Sequence, residues 1–174
     1  MSTIYDWISS CTQQHDVICN QKYDDIHNYS FHLRNVDNFV CKFMDILSSQ
    51  EQEKVRMAAW GHDLIEDARI TYSDIVHDVG EQVADIIFCC TEEKGRNRKE
   101  RHSDQYYKQL ALNRLAVYVK LCDVIANVTY SLATCSSMYN KYRSEFKDFK
   151  AYCQNGDEFL EIWIYLERLL KVNN

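Results

Sequence analysis

The sequence predicts an all-α, single-domain protein, and three observations carry that prediction. Proline is absent and glycine occurs only 4 times in 174 residues, so few positions force a turn or forbid a helix. Apolar residues recur near a period of 3.6 in several segments, the spacing of one helix face. No internal repeat, low-complexity linker or shift of composition divides the chain, and its 174 residues suit one domain with a sizeable core.

The elements follow in order. A helix is predicted from Ser30 to Leu47, where Phe31, Val36, Phe39, Val40 and Met44 share a face, and Ser48, Ser49 and Gln50 end it. A second runs from Glu51 to Asp67. Thr71-Tyr72-Ser73-Asp74 reads as a turn into a short helix, with Thr71 as its cap and Gly80 closing it. Glu81 to Thr91 reads as another helix, and Thr91 to Gln105 as a polar, charged connection containing Gly95. A long helical stretch is predicted from Asp104 to Ser131, interrupted near Asn113. Inside it, Leu115 to Leu121 alternates in a way that also fits a strand; the helical neighbours favour helix. In the last helix, Phe159, Ile162, Trp163, Leu166 and Leu170 face one way and Glu158, Glu161, Glu167 and Arg168 the other. It reads as a packing helix with no chemistry of its own.

Composition narrows the function classes. Apolar residues make up 46% and charged residues 26%, ordinary for a soluble globular protein. The net charge of -6 argues against a sequence-independent nucleic-acid binder, which needs a positive face. No apolar run approaches the roughly 20 residues that span a bilayer. The start, Met1-Ser2-Thr3-Ile4-Tyr5-Asp6-Trp7, has neither a basic n-region nor a long apolar h-region. A cytoplasmic location is expected, with no nucleic-acid or membrane partner. The eight cysteines, at 11, 19, 41, 89, 90, 122, 135 and 153, form no CxxC pair; they read as reduced, half-buried residues.

The informative segment is Trp60-Gly61-His62-Asp63-Leu64-Ile65-Glu66-Asp67. On a helix His62 lies one turn from Glu66, and Asp63 one turn from Asp67. One imidazole and three carboxylates then crowd together with no local cation to offset them, so something positive should sit there. A divalent metal is the simplest candidate. His32, on the preceding predicted helix, and Asp123, on a later one, complete a set of two nitrogens and two carboxylates. Mixed ligation of this kind suits Mn, Fe or Zn more than Mg or Ca. Taken singly each piece is weak; the ordered combination is specific.

With these residues in place, the chain resembles the HD superfamily. More narrowly it is similar to the hydrolase domain of RelA/SpoT-type enzymes and the small alarmone hydrolases. The likeness runs from about Gln21 to Tyr130. It includes Tyr29-Ser30-Phe31-His32-Leu33-Arg34-Asn35-Val36, the HDxxED segment, Thr91-Glu92-Glu93-Lys94 with Arg98-Lys99-Glu100-Arg101, and Val119-Lys120-Leu121-Cys122-Asp123 with Asn127 one turn on. The resemblance implies an HD-domain helical bundle over residues 1–174, with a family-like core at about 21–135 and packing helices over 136–172. It implies manganese, or another divalent transition metal, on His32, His62, Asp63 and Asp123. Glu66 and Asp67 would orient or activate the attacking water, Asn127 would contact the ribose region, and Lys22 and Tyr23 would contact the base. The implied reaction removes the 3′-pyrophosphate of guanosine tetra- or pentaphosphate, giving GDP or GTP. The basic residues Lys94, Arg96, Arg98, Lys99 and Arg101 suit the grip of a highly anionic nucleotide.

There are departures. Leu33 stands where the family usually has proline. Lys22-Tyr23-Asp24-Asp25-Ile26-His27-Asn28 replaces a Gly/Pro-containing loop that helps choose the base. Gly61 stands where a larger apolar residue is common, and is expected to open room beside the site. His27 is not expected to be a ligand, and His15, His77 and His102 are expected on surfaces or loops. Two other readings stay open: an HD phosphohydrolase of another nucleotide (an adenosine alarmone, a nucleoside monophosphate or the 2′-phosphate of NADPH), and a non-catalytic nucleotide-binding regulatory module. The expected partner is a small-molecule nucleotide, with a homodimer left open.

Overall fold

The structure, a computed structural model, describes residues 2–92 and 95–172, without the side chain of Lys99. Among these residues it is all helix and has no β-strand; one isolated antiparallel bridge joins Lys22 and Asn28. The chain runs through α1 (Ile4–Thr12), a π-helical turn (Gln13–Ile18), α2 (Ser30–Phe43), a 3-10 turn (Met44–Ile46), α3 (Ser49–Gly61) and α4 (Leu64–Asp67). It continues through α5 (Tyr72–Val79), α6 (Glu81–Cys90), α7 (Arg98–Arg101), α8 (Asp104–Ala111), α9 (Arg114–Ala133), α10 (Met138–Cys153) and α11 (Leu160–Leu170). The all-α expectation is borne out.

Short polar residues set the helix starts. Thr3, Ser48 and Thr71 each accept the backbone N–H three residues on, and Asp6, Glu51 and Asp74 accept the cap's own N–H. These are closed capping boxes, which satisfy donors that a helix start leaves free. Gly80, at φ +89°, turns α5 directly into α6, a backbone conformation that disfavours any side chain. Asn113 caps α9 by accepting from the N–H groups of Leu115 and Ala116, so the stretch from Asp104 to Ser131 divides there. The polar connection after Thr91 holds the short α7.

At the centre, α9 packs against α2, α3, α6, α8, α10 and α11. Ala116, Val117, Tyr118, Val119, Leu121 and Cys122 are all buried. Burial on almost every side, not a strand period, explains the alternating run that suited both readings. By length and mean hydropathy (1.3) α9 would be apolar enough to cross a membrane, a longer apolar stretch than the sequence patterning suggests. Its position as the helix that the others surround accounts for that. Removing a buried Leu121 or Ile125 side chain costs about 2–5 kcal/mol in such a place.

Two corrections bear on the site. The predicted helix from Glu51 to Asp67 is broken: α3 ends at Gly61, and Asp63 sits at φ -103°, ψ 1° before α4. The His62 ring turns back to donate Nδ1–H to Ala59 O at 2.9 Å, taking a carbonyl at the end of α3. His62 and Asp63 therefore stand at a corner, not on one continuous face with Glu66 and Asp67. Second, Gly61 opens no space. A Cβ there would lie 2.7 Å from Ile87 Cδ1 and 2.8 Å from Trp7 Cζ2, so the glycine is what lets α3 close against α6 and α1. Trp7 itself is buried and donates its indole N–H to Met57 O at 2.8 Å.

Candidate metal centre and active site

α2 supplies His32, the corner after α3 supplies His62 and Asp63, and α9 supplies Asp123. The Nε2 atoms of the two rings are 3.4 Å apart. Asp123 Oδ1 is 3.2 Å from His32 Nε2 and 3.8 Å from His62 Nε2. Asp63 Oδ2 is 3.0 Å from His62 Nε2 and 3.8 Å from His32 Nε2. Ligands at about 2.0–2.2 Å from one cation must lie within about twice that distance of each other, and each of these pairs does. His32, His62 and Asp123 are buried and form a cluster able to hold a metal ion. The bond from His62 Nδ1 to Ala59 O turns its Nε2 toward the cluster, the orientation that ligation requires. The residues present fit a divalent metal.

The charges are unusual. Burial pulls the His62 imidazole down, but Asp63 and Asp123 outweigh it and leave it raised, at about 9. Burial raises Asp63, yet the neighbouring His62 and His32 rings hold it well below the usual carboxylate range. Glu66, one turn beyond, is pushed up to about 7 by burial and by Asp63. Its carboxylate accepts the backbone N–H of Glu92. Asp67 is also raised, first by burial and then by Asp63, while it accepts from Gln21 Nε2 at 2.8 Å. Negative charge thus exceeds what the local side chains neutralise, which is what a site waiting for a cation looks like.

These groups line one end of a cavity of about 630 Å³, a size suited to a small-molecule ligand. Lys120 enters from α9, its ammonium 2.9 Å from Asp123 Oδ2. Burial would lower it, but Asp123 holds it well above the usual lysine range, so it stays charged. Further lining comes from α7, α8 and α10. Arg98 meets Glu145 through two hydrogen bonds of 2.7 and 3.0 Å and lies over the Tyr142 ring. Arg101 meets Glu92 at 2.9 Å. His102 donates Nε2–H to Glu92 Oε1 at 2.6 Å. Burial raises Glu92, but the His102 bond and Lys120 draw it down to about 2. Among the described residues, six carboxylates and three Lys or Arg side chains line the cavity.

The expected residues divide accordingly. His32, Asp63, Glu66, Asp67, Asp123, Asn127, Tyr23, Arg98 and Arg101 all line this cavity, and His62, which does not line it, is buried 3.0 Å from Asp63 Oδ2. Lys22 does not line it: it is exposed and donates to Asn28 Oδ1 at 2.5 Å across the isolated bridge. Arg96 is also exposed, paired to Glu100 at 2.9 Å. Lys94 and the Lys99 side chain lie outside the described residues. Of the histidines expected at the surface, only His77 is there. His102 lines the cavity, and His15 is buried against Tyr29 at 4.8 Å and bonded to Gln21 at 2.6 Å. His27 pairs with Asp24 at 2.8 Å. Sequence reasoning missed Tyr29, Lys120, Glu92 and Glu145. Lys120 carried a signal, as a lone cation in a long apolar run, and Tyr29 and Glu92 lie in segments that carry the resemblance; Glu145 had no such signal.

No protein-family model matches the chain, and no curated protein matches it in sequence. Solved structures do match in fold. One is described as a metazoan ortholog of SpoT that hydrolyses ppGpp and plays a role in starvation responses. It superposes with a TM-score of 0.73 at 16% identity, covering 98% of this chain and 95% of that one. Another is lmo0812 from Listeria monocytogenes EGD-e, with a TM-score of 0.63 at 24% identity, covering 80% of this chain and 96% of that one. The chain has the helical fold of the SpoT ortholog, as the resemblance in sequence implied.

Proposed function

We propose that this protein is a metal-dependent phosphohydrolase of nucleotides, and that its substrate is guanosine tetra- or pentaphosphate, cleaved to GDP or GTP and pyrophosphate. The observation that carries the reading is the clustering of His32, His62 and Asp123, with Asp63 against both rings, beside a cavity that Glu66, Asp67 and Lys120 also line and to which α7 adds Arg98 and Arg101. Manganese is the proposed metal. When bound, it would supply Lewis-acid polarisation of the phosphate and acidify a water.

The chain's own residues do the rest. Glu66 as carboxylate accepts a proton from the attacking water, and its elevated proton affinity suits a general base near neutral pH. Asp67, held by Gln21, orients that water. The water oxygen bonds to the phosphorus and the bond from phosphorus to the 3′ oxygen breaks; the leaving 3′ oxygen takes a proton from solvent, and Glu66 returns to solvent the proton it took from the water. Lys120, fixed beside Asp123, offers positive charge where the phosphoryl group becomes more negative. Arg98 and Arg101 offer donors to the remaining phosphates.

A second reading has its own support. Both arginines already hold carboxylates, and Lys22 stands outside the cavity. That favours a nucleotide with fewer phosphates, such as a nucleoside monophosphate or the 2′-phosphate of NADPH. The test is incubation of the purified protein, with and without Mn2+, with guanosine tetraphosphate and a nucleotide panel, followed by ion-exchange chromatography. Metal-dependent GDP and pyrophosphate, absent in His62→Ala, would support the alarmone reading. Orthophosphate from a monophosphate ester would move the assignment to the second. No turnover of any nucleotide by metal-loaded protein would overturn both.

A further inference from the structure

The segment 21–29, between the π-helical turn and α2, touches the metal centre at several points. The Tyr29 hydroxyl donates to Asp63 Oδ2, the same oxygen that faces His62 Nε2 at 3.0 Å and His32 Nε2 at 3.8 Å. The Tyr23 ring lies flat on the His32 ring, centroids 5.1 Å apart and planes 7° apart. The Tyr23 hydroxyl donates to Asn127 Oδ1 at 3.0 Å. Asn127 Nδ2 in turn donates to Asp123 Oδ1 at 2.6 Å, the oxygen that faces His32.

The two histidines are held differently. Metal-ligating histidines usually donate their second ring N–H to a carbonyl or carboxylate, which fixes the ring. His62 does so to Ala59 O. His32 Nδ1 is buried and has no hydrogen-bond partner among the described residues. Away from its Nε2 contacts with the cluster, the ring is fixed by packing: the face of Tyr23, and the edge of Tyr29 at 5.5 Å and 62°. Both amide ends of Asn127 are also engaged, one by Tyr23 and the other by Asp123.

We propose that segment 21–29 is the outer shell of the metal centre: Tyr29 is the positioning residue for Asp63, and Tyr23 positions His32 directly and Asp123 through Asn127. The proposal rests on the metal-site reading above. A carboxylate oxygen has two lone pairs. Tyr29 occupies one on Asp63 Oδ2 and so aims the other at the two imidazoles. Asn127 is then a brace between a loop and a ligand.

The test is calorimetric titration of Mn2+ into metal-free protein, paired with thermal unfolding with and without Mn2+. Tyr29→Phe removes one hydroxyl. It is expected to weaken Mn2+ binding about 10–100-fold, to leave the metal-free unfolding temperature near that of the wild type, and to shrink the rise that Mn2+ produces. Tyr23→Leu, which loses the stack and the hydroxyl, is expected to weaken binding by a similar factor. Tyr130→Phe is the control, because the Tyr130 hydroxyl holds the same segment at Asp24 and touches no site carboxylate; its Mn2+ affinity should match wild type. Wild-type affinity in both Tyr29→Phe and Tyr23→Leu would overturn the proposal. So would an equal loss in Tyr130→Phe, which would mean that general loop order, not these contacts, matters. If Tyr29→Phe does not fold, Tyr23→Phe, which keeps the stack and loses only the bond to Asn127, decides the hydrogen-bonded arm. A wild type that binds no Mn2+ would instead remove the metal reading itself.

Discussion

At one end of the cavity His32, His62, Asp63 and Asp123 converge with Glu66 and Asp67 nearby, and carboxylates outnumber the cations beside them. At the other end Arg98 meets Glu145, Arg101 meets Glu92, and His102 lies against Glu92. Both ends bury charge, but only the second is balanced from within. An unbalanced buried cluster is costly unless something compensates it, and a divalent cation is the compensation that the proposed reading supplies. The balanced end has no such requirement. Any anion docking there must compete with carboxylates already in place, so on the proposed reading this part of the cavity selects the substrate and the other transforms it.

The sharpest way to break that comparison is to remove the cation or one of its ligands. His62→Ala, or extraction of metal with a chelator, is expected to lower kcat/KM by about 10³-fold or more, since the attacking water and the phosphate both lose their activator. Restoring Mn2+ should rescue the chelated wild type and not the variant. Equal activity with and without metal would show that the carboxylate-rich end serves some other purpose.

Glu66 gives a finer test, because it links the charge surplus to stability. Glu66→Gln is expected to lower kcat about 10²-fold while Mn2+ still binds. In the metal-free protein the Glu66 carboxyl is raised from its ordinary value to about 7. The folded state therefore holds a proton that the unfolded state releases, and stability is full below about pH 4.5 and falls as pH rises towards about 7. Metal-free Glu66→Gln should then be more stable than metal-free wild type at pH 8, by on the order of 1–3 kcal/mol, and no more stable at pH 4. Saturating Mn2+ should shrink the gap, because a cation opposes the repulsion from Asp63. Chemical denaturation at the two pH values reads this directly.

At the balanced end the effects should be smaller and fall on binding. Arg101→Ala is expected to raise KM about 10-fold for a polyphosphorylated nucleotide and leave kcat within a few-fold. Arg98→Ala should do the same and also lower the unfolding temperature, since it leaves Glu145 without its two-pronged partner and Tyr142 without its stacked guanidinium. If Arg98→Ala lowers stability with KM unchanged, the pair is a structural strut, and the second substrate reading gains.

How much of this is legible in the sequence follows from how far apart the cooperating residues lie. His62, Asp63, Glu66 and Asp67 fall within six consecutive positions, so their charge surplus is plain from the sequence alone. The break at Asp63 is not, because no proline or exposed glycine marks it; the His62 ring makes it by taking the Ala59 carbonyl. The capping boxes at Ser48 and Thr71 lie in local patterns, and the break at Asn113 likewise. His15, His102 and Glu145 are misjudged or missed for the opposite reason. Their partners, at Gln21, Glu92 and Arg98, come from other segments, and one helix pattern cannot reveal such a pairing. The same holds for α10, whose Tyr142, Glu145 and Phe149 give the balanced end of the cavity from a stretch that reads as generic.

Lys22 supplies the smallest predicted effect and the cleanest check on where the cavity ends. The resemblance in sequence implied a contact between this side chain and the base. The structure instead turns it outward, bonded to Asn28 across the neck of its own loop, while the next residue, Tyr23, lies on the His32 ring. Alternation along an extended segment sends neighbouring side chains to opposite sides, so Tyr23 and Lys22 do not both face the site in this conformation. Lys22→Ala is therefore expected to change stability by no more than about 0.5 kcal/mol, as for an exposed side chain away from special features, and KM by less than about 2-fold. A KM rise as large as that of Arg101→Ala would mean that the loop inverts when substrate binds, so that the positive charge missing from the metal end arrives with the nucleotide.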